Sequence, residues 1–307
     1  MFLYANTAKV TMIDLHVHST ASDGTLAPTE LAKRSGGFYA MALTDHDNCD
    51  GVDEFLSACE GIGASVDGAV RLAGIELSVD PGEGYGKFHL LGLGIDPENE
   101  TLKSFLGRIL QGRNGRNARM IERFAGIGIT IPKEDIATYA HGEVLARPHF
   151  AKWLVDHGYS PDVPTAFKAY LTSASPPETN CYVTRYRPDP AEAFEVIHSA
   201  GGVAVMAHPR YWTKDPVLLR DGLARLKPAG LDGVEAIYQA NEPDETIDHL
   251  RAVRELGMFA TAGSDFHGAH KPTIPLGMKV DDERSFLKPF LECLNRRRAA
   301  AGMRGVV

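Results

Sequence analysis

The chain holds 12 histidines in 307 residues, and six of them sit where a short apolar run gives way to polar side chains. His16 and His18 stand two apart in MIDLHVHS. On an extended strand such residues share a face, so two imidazole nitrogens can reach one cation. Asp265 and His267 repeat the spacing in GSDFH. Asp23 follows the first pair, while His46 lies in TDHD, Glu76 in GIELS, His89 in FHLLGLG and His208 in AHP. Singly, each has an ordinary explanation: a lone histidine in a core is more often hydrogen-bonded than ligating, and Glu76 could be an ion-pair partner. Together they recur at successive predicted strand ends, where every buried polar group needs a reason. Imidazole mixed with carboxylate suits Mn²⁺, Fe²⁺ or Zn²⁺.

For these residues to meet, the strands carrying them must end at one opening. Apolar runs predict strands over Met12 to Val17, Phe38 to Thr44, Val70 to Leu77, Phe88 to Ile95, Val203 to Ala207, Val234 to Ile237 and Phe259 to Ala262. Helical patterns lie between several of them: Pro28 to Ser35, Pro190 to Ser199 behind Asp189, Val217 to Leu226 and Glu245 to Leu256. Strands alternating with helices predict an α/β fold, a parallel sheet or barrel of about seven strands, with functional groups at the carboxyl ends. Between about Glu98 and Arg185 the pattern turns helical and arginine-rich, with apolar spacing over Leu102 to Leu110, Ala118 to Phe124 and Phe150 to Asp156. This predicts a mainly helical inserted subdomain. Arg296 to Arg298 reads as a solvated helix end.

Composition excludes several classes. With 44% hydrophobic and 23% charged residues the chain can bury a large core, which rules out disorder as its main state. A net charge of −8, from 32 basic and 40 acidic residues, argues against a surface that grips duplex nucleic acid. No run approaches a membrane span and the first residues lack a leader pattern, so a cytoplasmic protein without a membrane partner is expected. Cys49, Cys59, Cys181 and Cys293 have no CxxC spacing and read as reduced thiols.

The series DLHVHSTASDGT, ALTDHD, GIELS, FHLLGLG, AHP and GSDFH resembles, in order, the motifs of the polymerase and histidinol phosphatase (PHP) phosphoesterases, over about residues 10–100 and 190–280. The resemblance implies a distorted (β/α)7 barrel in two parts, 10–97 and 187–290, with a helical substrate-capping insert at 98–186 and a C-terminal tail at 291–307. It implies two to three divalent ions, Mn²⁺ or Fe²⁺ ahead of Zn²⁺. The first would be held by His16, His18, Glu76 and Asp265; the second by Glu76, His89 and His208; the third by Asp23, His46 and His267. Some relatives have histidine where this chain has Asp23, which makes the third site harder in ligand character. Asp23, His46, Glu76, His208 and Asp265 would form the catalytic group, with a hydroxide bridging two ions as nucleophile.

Inside the insert, QGRNGRNARM places Arg113, Arg116 and Arg119 three apart on one side of a helix, and ALARPHF adds Arg147 and His149. Arginine forks match phosphate oxygens. Both stretches resemble the nucleotide-phosphatase branch, which assigns Arg113, Arg116, Arg147 and His149 to substrate. The expected activity is hydrolysis of a small nucleotide or phosphorylated ribose: a 5′-monophosphate, 3′,5′-bisphosphate or cyclic phosphate. A 5′-3′ exoribonuclease on short 5′-phosphorylated RNA is the second expectation and needs aromatics to stack bases. Histidinol-phosphate phosphatase and a structural or polymerase-associated module rank lower, because the insert arginines match neither and the ligand set is complete. Ser19 and Ser22 read as turn formers. Asp45 and Asp47 read as imidazole-orienting groups or helix caps. His141, His157, His198, His249 and His270 read as helix-surface or loop residues.

Overall fold

A computed structural model describes residues 12–62, 66–80, 82, 86–139 and 145–306. His141, and residues 1–11 on which the leader reading rests, lie outside the described residues. Strands β1 (Met12–Val17), β2 (Phe38–Leu43), β3 (Val70–Val79), β4 (Phe88–Leu93), β5 (Val203–Met206), β6 (Gly233–Tyr238), β7 (Phe259–Gly263) and β8 (Met278–Lys279) form one sheet in the order β7-β6-β5-β4-β3-β2-β1-β8. The sheet curls so that the chain after β7 returns to β1: Asp265 N–H donates to the His16 carbonyl at 2.9 Å and His18 N–H to the Phe266 carbonyl at 3.0 Å. The opposite end of β1 pairs with β8 through Met12 and Ile13. The barrel is therefore sealed mainly at the end where the functional motifs lie.

Two features depart from the seven parallel strands expected. The eighth strand is a two-residue edge. More consequentially, β4 runs antiparallel to both neighbours. The link 80–87 is too short for the crossover of a dozen or more residues that parallel strands require, so β4 must turn straight back. His89 accordingly lies near the amino end of its strand, and the reversal brings that end to the same barrel mouth as the carboxyl ends of the others.

Helices α1 (Pro28–Arg34), α2 (Val52–Ile62), α7 (Pro190–Ser199), α8 (Pro216–Leu226) and α9 (Pro243–Leu256) connect strands. The insert holds α3 (Glu100–Gly126), α4 (Lys133–Ala137), α5 (Arg147–Asp156) and α6 (Val163–Ala166), which continues into a π-helical turn at Phe167–Leu171. The two helices expected at Leu102 and Ala118 are one, α3, of 27 residues and about 40 Å. Gly112 and Gly115 weaken it by roughly 1 kcal/mol each relative to alanine, but packing at both ends holds it. Leu102, Phe105 and Ile109 enter the barrel cluster with Leu77 and Phe194, while Met120 and Phe124 join Phe150, Trp153 and Leu154 in the insert core. One rigid helix thus fixes the insert to the barrel.

Residues 291–307, expected as a tail, begin inside α10 (Glu283–Ala300), whose Leu287, Phe290 and Leu294 are fully buried with Leu93, Val203 and Val205. Its arginines fasten it rather than simply facing solvent: Arg297 pairs with Asp232 at 2.7 Å and Arg298 donates to the Gly94 carbonyl at 2.9 Å. His249 is another correction. It sits at 2% exposure on the inner face of α9, where Asn241 bonds its ring, rather than on the helix surface.

Candidate metal centre and anion pocket

All nine side chains expected to bind metal face one another at the barrel mouth. Glu76 is the hub. Its Oε2 lies 3.3 Å from His16 Nε2, 3.2 Å from His18 Nε2 and 2.9 Å from His46 Nδ1. Its Oε1 lies 2.8 Å from His89 Nδ1 and 2.9 Å from His208 Nε2. Asp265 Oδ1 faces His16 at 3.6 Å and His18 at 3.3 Å. Asp23 stands 3.2 Å from His267 Nε2 and 3.8 Å from His46 Nε2. His46 therefore faces both Glu76 and Asp23, so it touches two of the groups rather than one.

The hydrogen bonds show what this arrangement lacks. His16 Nε2, His18 Nε2, His46 Nδ1 and Glu76 Oε2 are buried, converge, and have no hydrogen-bond partner. Four such atoms would each cost about 1–3 kcal/mol unsatisfied, and a divalent cation satisfies all of them at once. The surrounding bonds fix the lone pairs inward. His16 Nδ1–H donates to Glu235 at 3.0 Å and His267 Nδ1–H to the Asp265 carbonyl at 2.8 Å, so each ring turns Nε2 toward the cluster. Glu235 also accepts the His208 N–H at 2.7 Å. Gly263 permits this approach, since a Cβ there would stand 2.2 Å from Glu235 Oε1 and 2.4 Å from His16 Cβ. His208 and Asp265 hold positive φ angles of 27° and 58°, strain of about 1–3 kcal/mol each that is common at functional sites.

The electrostatics favour added positive charge. Burial opposes ionisation of Glu76, but the imidazoles of His46, His89 and His16 hold its carboxyl well below the usual range. Asp265 is lowered likewise by His16, His18 and His267 against its burial. Burial also opposes a charge on His18, yet the Asp265 and Glu76 carboxylates, 3.3 and 3.2 Å from its Nε2, raise it to about 9. A cation binding at His18 must displace that proton. Below pH 9 the proton is held, so metal affinity is expected to rise with pH, by about one decade per unit for each proton released. Calorimetric metal titration in buffers of different ionisation enthalpy checks this, and binding with no proton release would contradict it.

Neither Asp45 nor Asp47 bonds an imidazole directly, although Ser22 Oγ, held by Asp45, lies 3.5 Å from His18 Nδ1. Asp45 accepts from Ser19 N–H at 2.8 Å, Ser19 Oγ at 2.6 Å and Ser22 Oγ at 2.5 Å, which ties down the loop bearing Asp23. Asp47, at φ 54°, takes two guanidinium groups: Arg113 through Nε at 3.0 Å and through Nη2, and Arg185 through Nη2 at 2.7 Å. Both belong to a cavity of about 210 Å³ lined by Arg113, Arg116, Arg147, Arg185 and Arg187 that reaches Asp23, His46 and His89. Asp47 pairs with two of the five guanidinium groups, and Asp23 is the carboxylate in the cavity wall. Arg116 Nε and Nη2 and Arg187 Nη1 are buried with no hydrogen-bond partner. Burial and the neighbouring Arg113, Arg185 and Arg147 press the Arg116 pKa down to about 9. This is a cavity built for an anion.

The substrate residues expected from sequence divide accordingly. Arg116 points open donors into the cavity, whereas Arg113 spends Nε and Nη2 on Asp47. Arg147 lies over the Phe167 and Tyr182 rings and donates to the Leu171 carbonyl at 3.1 Å. His149 Nδ1 accepts the Ala146 N–H at 3.0 Å, which leaves the ring proton on Nε2. His149 lines a larger cavity of about 890 Å³ between insert and barrel, with Tyr139, Pro148, Phe167, Asp23 and His267. Arg119 is exposed and stands apart. Sequence reasoning missed Glu235, Arg185, Arg187 and Lys271, the last 2.6 Å from Asp265 Oδ2. A lone glutamate in the apolar run GVEAIY and the RYR spacing before α7 were the available signals.

The PHP domain family matches residues 14–123. A 3′,5′-nucleoside bisphosphate phosphatase of Chromobacterium violaceum is 34% identical over 258 residues, 83% of this chain and 87% of that protein. A 5′-3′ exoribonuclease of Haemophilus influenzae is 33% identical over 256 residues, covering 83% and 89%. Among solved structures, one from Bifidobacterium adolescentis described as a metal-dependent phosphoesterase superposes with a TM-score of 0.74 at 29% identity, over 90% of this chain and 96% of that one.

Proposed function

The chain belongs to the PHP family of metal-dependent phosphoesterases, and from that premise we propose that it hydrolyses a nucleoside bisphosphate, with one phosphate at the histidine cluster and the other in the arginine pocket. The observation that carries the reading is three buried guanidinium nitrogens beside the cluster, Arg116 Nε and Nη2 and Arg187 Nη1, that have no hydrogen-bond partner. The nucleoside takes the larger cavity, which shares His46, Asp23, Pro148 and Phe167 with the arginine pocket. Residues 98–186 then act as the substrate cap.

In this reading His16, His18, Glu76 and Asp265 hold one divalent ion, Glu76, His89 and His208 a second, and Asp23, His46 and His267 a third. The donor set suits Mn²⁺ or Fe²⁺, then Zn²⁺. Bound ions supply an activated water and Lewis-acid charge for the phosphoryl oxygens. The chain's own groups do the rest. Glu235 fixes the tautomer of His16, and Asp47 holds Arg113 and Arg185 so that the cavity is preformed. Arg116 and Arg187 take the far phosphate, which seats the near one against the cluster. His149 lines the cavity that the nucleoside takes.

Arg116→Met tests the reading, because it keeps the apolar stem and removes the fork. The specificity constant for a 3′,5′-bisphosphate should fall by roughly 10- to 100-fold, the range for one charge-assisted hydrogen-bonded group, while that for the matching monophosphate should change much less. Equal losses in phosphate-release assays on both substrates would remove the second-phosphate role.

A further inference from the structure

Asp265 divides its two oxygens. Oδ1 faces the cluster, 3.6 Å from His16 Nε2 and 3.3 Å from His18 Nε2, while Oδ2 turns away and accepts the Tyr238 hydroxyl at 3.0 Å and the Lys271 ammonium at 2.6 Å. Tyr238 is buried, but the Lys271 side chain stays 39% exposed, so its charge is not sealed inside the pair. The backbone that carries it is fixed. Gly268, at φ 64°, opens a tight turn over Gly268–His270, which the Lys271 N–H closes on the Gly268 carbonyl at 3.1 Å. Thr25 Oγ1 accepts the Ala269 N–H at 2.9 Å, and His270 Nδ1–H donates to the Asp23 carbonyl at 2.8 Å. These bonds fasten the turn to the loop bearing Asp23 and bring Lys271 back over the carboxylate six residues before it.

Lys271 also stands where the cavities meet. A third cavity, of about 280 Å³, reaches the cluster at Glu76, His89, His208 and Asp265, and it shares His46 and Lys271 with the larger cavity. His46 lines the arginine pocket as well. A phosphate at the cluster, whose nucleoside fills the larger cavity and whose second phosphate fills the arginine pocket, must lie at this junction. The other ammonium groups of the two cavities are tied elsewhere: Lys87 pairs with Asp80 at 3.2 Å and Lys152 with Asp156 at 2.9 Å.

We propose that Lys271 is a catalytic residue whose ammonium donates to non-bridging oxygens of the phosphoryl group being transferred, held at that place by Asp265 Oδ2. The proposal rests on the bisphosphate reading, which puts the phosphoryl group at the junction. An ammonium has three N–H groups, so one stays on Asp265 while two turn to the substrate. As a water oxygen bonds to phosphorus and the bond to the ester oxygen breaks, one proton of the water ends on the ester oxygen and the negative charge stays on the transferred group. Lys271 gives up no proton. It supplies a fixed positive charge in a partly buried site, where that charge counts for more than it would in water.

Steady-state kinetics on adenosine 3′,5′-bisphosphate, and on the adenosine monophosphate, 3′ or 5′, that keeps the ester cleaved in it, separate the outcomes. Lys271→Met preserves the length of the side chain and removes its charge. It should lower kcat/KM by roughly 10- to 100-fold, the span of one charge-assisted hydrogen-bonded group, and by the same factor for both substrates, which share the phosphoryl group it serves. Metal content by elemental analysis should stay at the wild-type level, because Asp265 Oδ1 and the imidazoles are untouched. Unchanged kinetics would overturn the proposal. So would a loss confined to the bisphosphate, which would assign Lys271 to the second phosphate, or a loss of metal in proportion to activity, which would reduce it to a support for Asp265. Arg116→Met on the same pair of substrates isolates the premise: equal losses in that variant overturn the bisphosphate reading, whereas the Lys271→Met outcomes decide the proposal. A wild-type enzyme inactive on both substrates would overturn the two together.

Discussion

Glu76→Gln should leave a folded protein that has lost most of its metal and on the order of a thousandfold or more of its turnover. The substitution keeps the side chain's volume, so the surrounding β3–β4 ladder has no cavity to close. What it removes is the charge on two oxygens that between them face five imidazoles, at 2.8 to 3.3 Å. Glutamine offers one carbonyl and one NH₂, and the NH₂ would point its hydrogens at imidazole nitrogens or at a cation. Two of the three proposed ion sites share this residue, so both fail together. Loss of ions that neutralise phosphoryl charge costs several kcal/mol of transition-state stabilisation, and each 1.4 kcal/mol is tenfold in rate. Circular dichroism would establish the fold, elemental analysis the metal content, and phosphate release the rate. A Glu76→Gln protein with full metal content and turnover within tenfold of wild type would show that the ions sit elsewhere.

The cluster could be read from the sequence because each member is tied to a local pattern. His16 and His18 share a face by strand geometry alone, and TDHD, GIELS and GSDFH each close an apolar run. Short-range periodicity fixes such positions, and the barrel mouth follows once several strands end together. What was illegible depends on long-range contact. Glu235 serves His16 across 219 residues and looks, in its own strand, like one carboxylate in an apolar run. The reversal of β4 could have been inferred from the short link before it, but the apolar run itself has no direction. The arginine pocket was half visible. Arg113 and Arg116 stand out on α3 through their spacing, whereas Arg185 and Arg187 lie in an irregular stretch with no periodic signature and meet the helix only in the folded chain. His249 was misplaced because amphipathic spacing tells which face is buried, not that a polar side chain on that face has a partner in Asn241.

Removing the carboxylate that organises two of those arginines should cost the fold several kcal/mol. In Asp47→Ala, Arg113 and Arg185 would remain buried, at 6% and 5% side-chain exposure, without the anion between them and beside Arg116, Arg147 and Arg187. Breaking a buried pair in this way costs about 3–5 kcal/mol, because the surviving charge keeps its desolvation penalty and loses its compensation. The Ser78 N–H, which donates to Asp47 at 3.1 Å, would be orphaned as well. The pH dependence gives a second check. Burial opposes ionisation of Asp47, but Arg185 and Arg113 outweigh it and hold the carboxyl far below its ordinary value. A group whose folded pKa is depressed contributes its stability above the unfolded value, near 4, and loses it as pH falls toward the folded one. The stability difference between wild type and Asp47→Ala, measured by urea unfolding, should therefore be flat from pH 5 to 8 and shrink below about pH 4. Inorganic phosphate offers a control that a generic packing defect would not reproduce. An anion in the arginine pocket partly replaces the missing carboxylate, so phosphate should raise the unfolding midpoint of Asp47→Ala more than that of wild type. If phosphate stabilised the two equally, or if the variant lost less than 1 kcal/mol, Asp47 would not be what compensates Arg113 and Arg185 in the pocket.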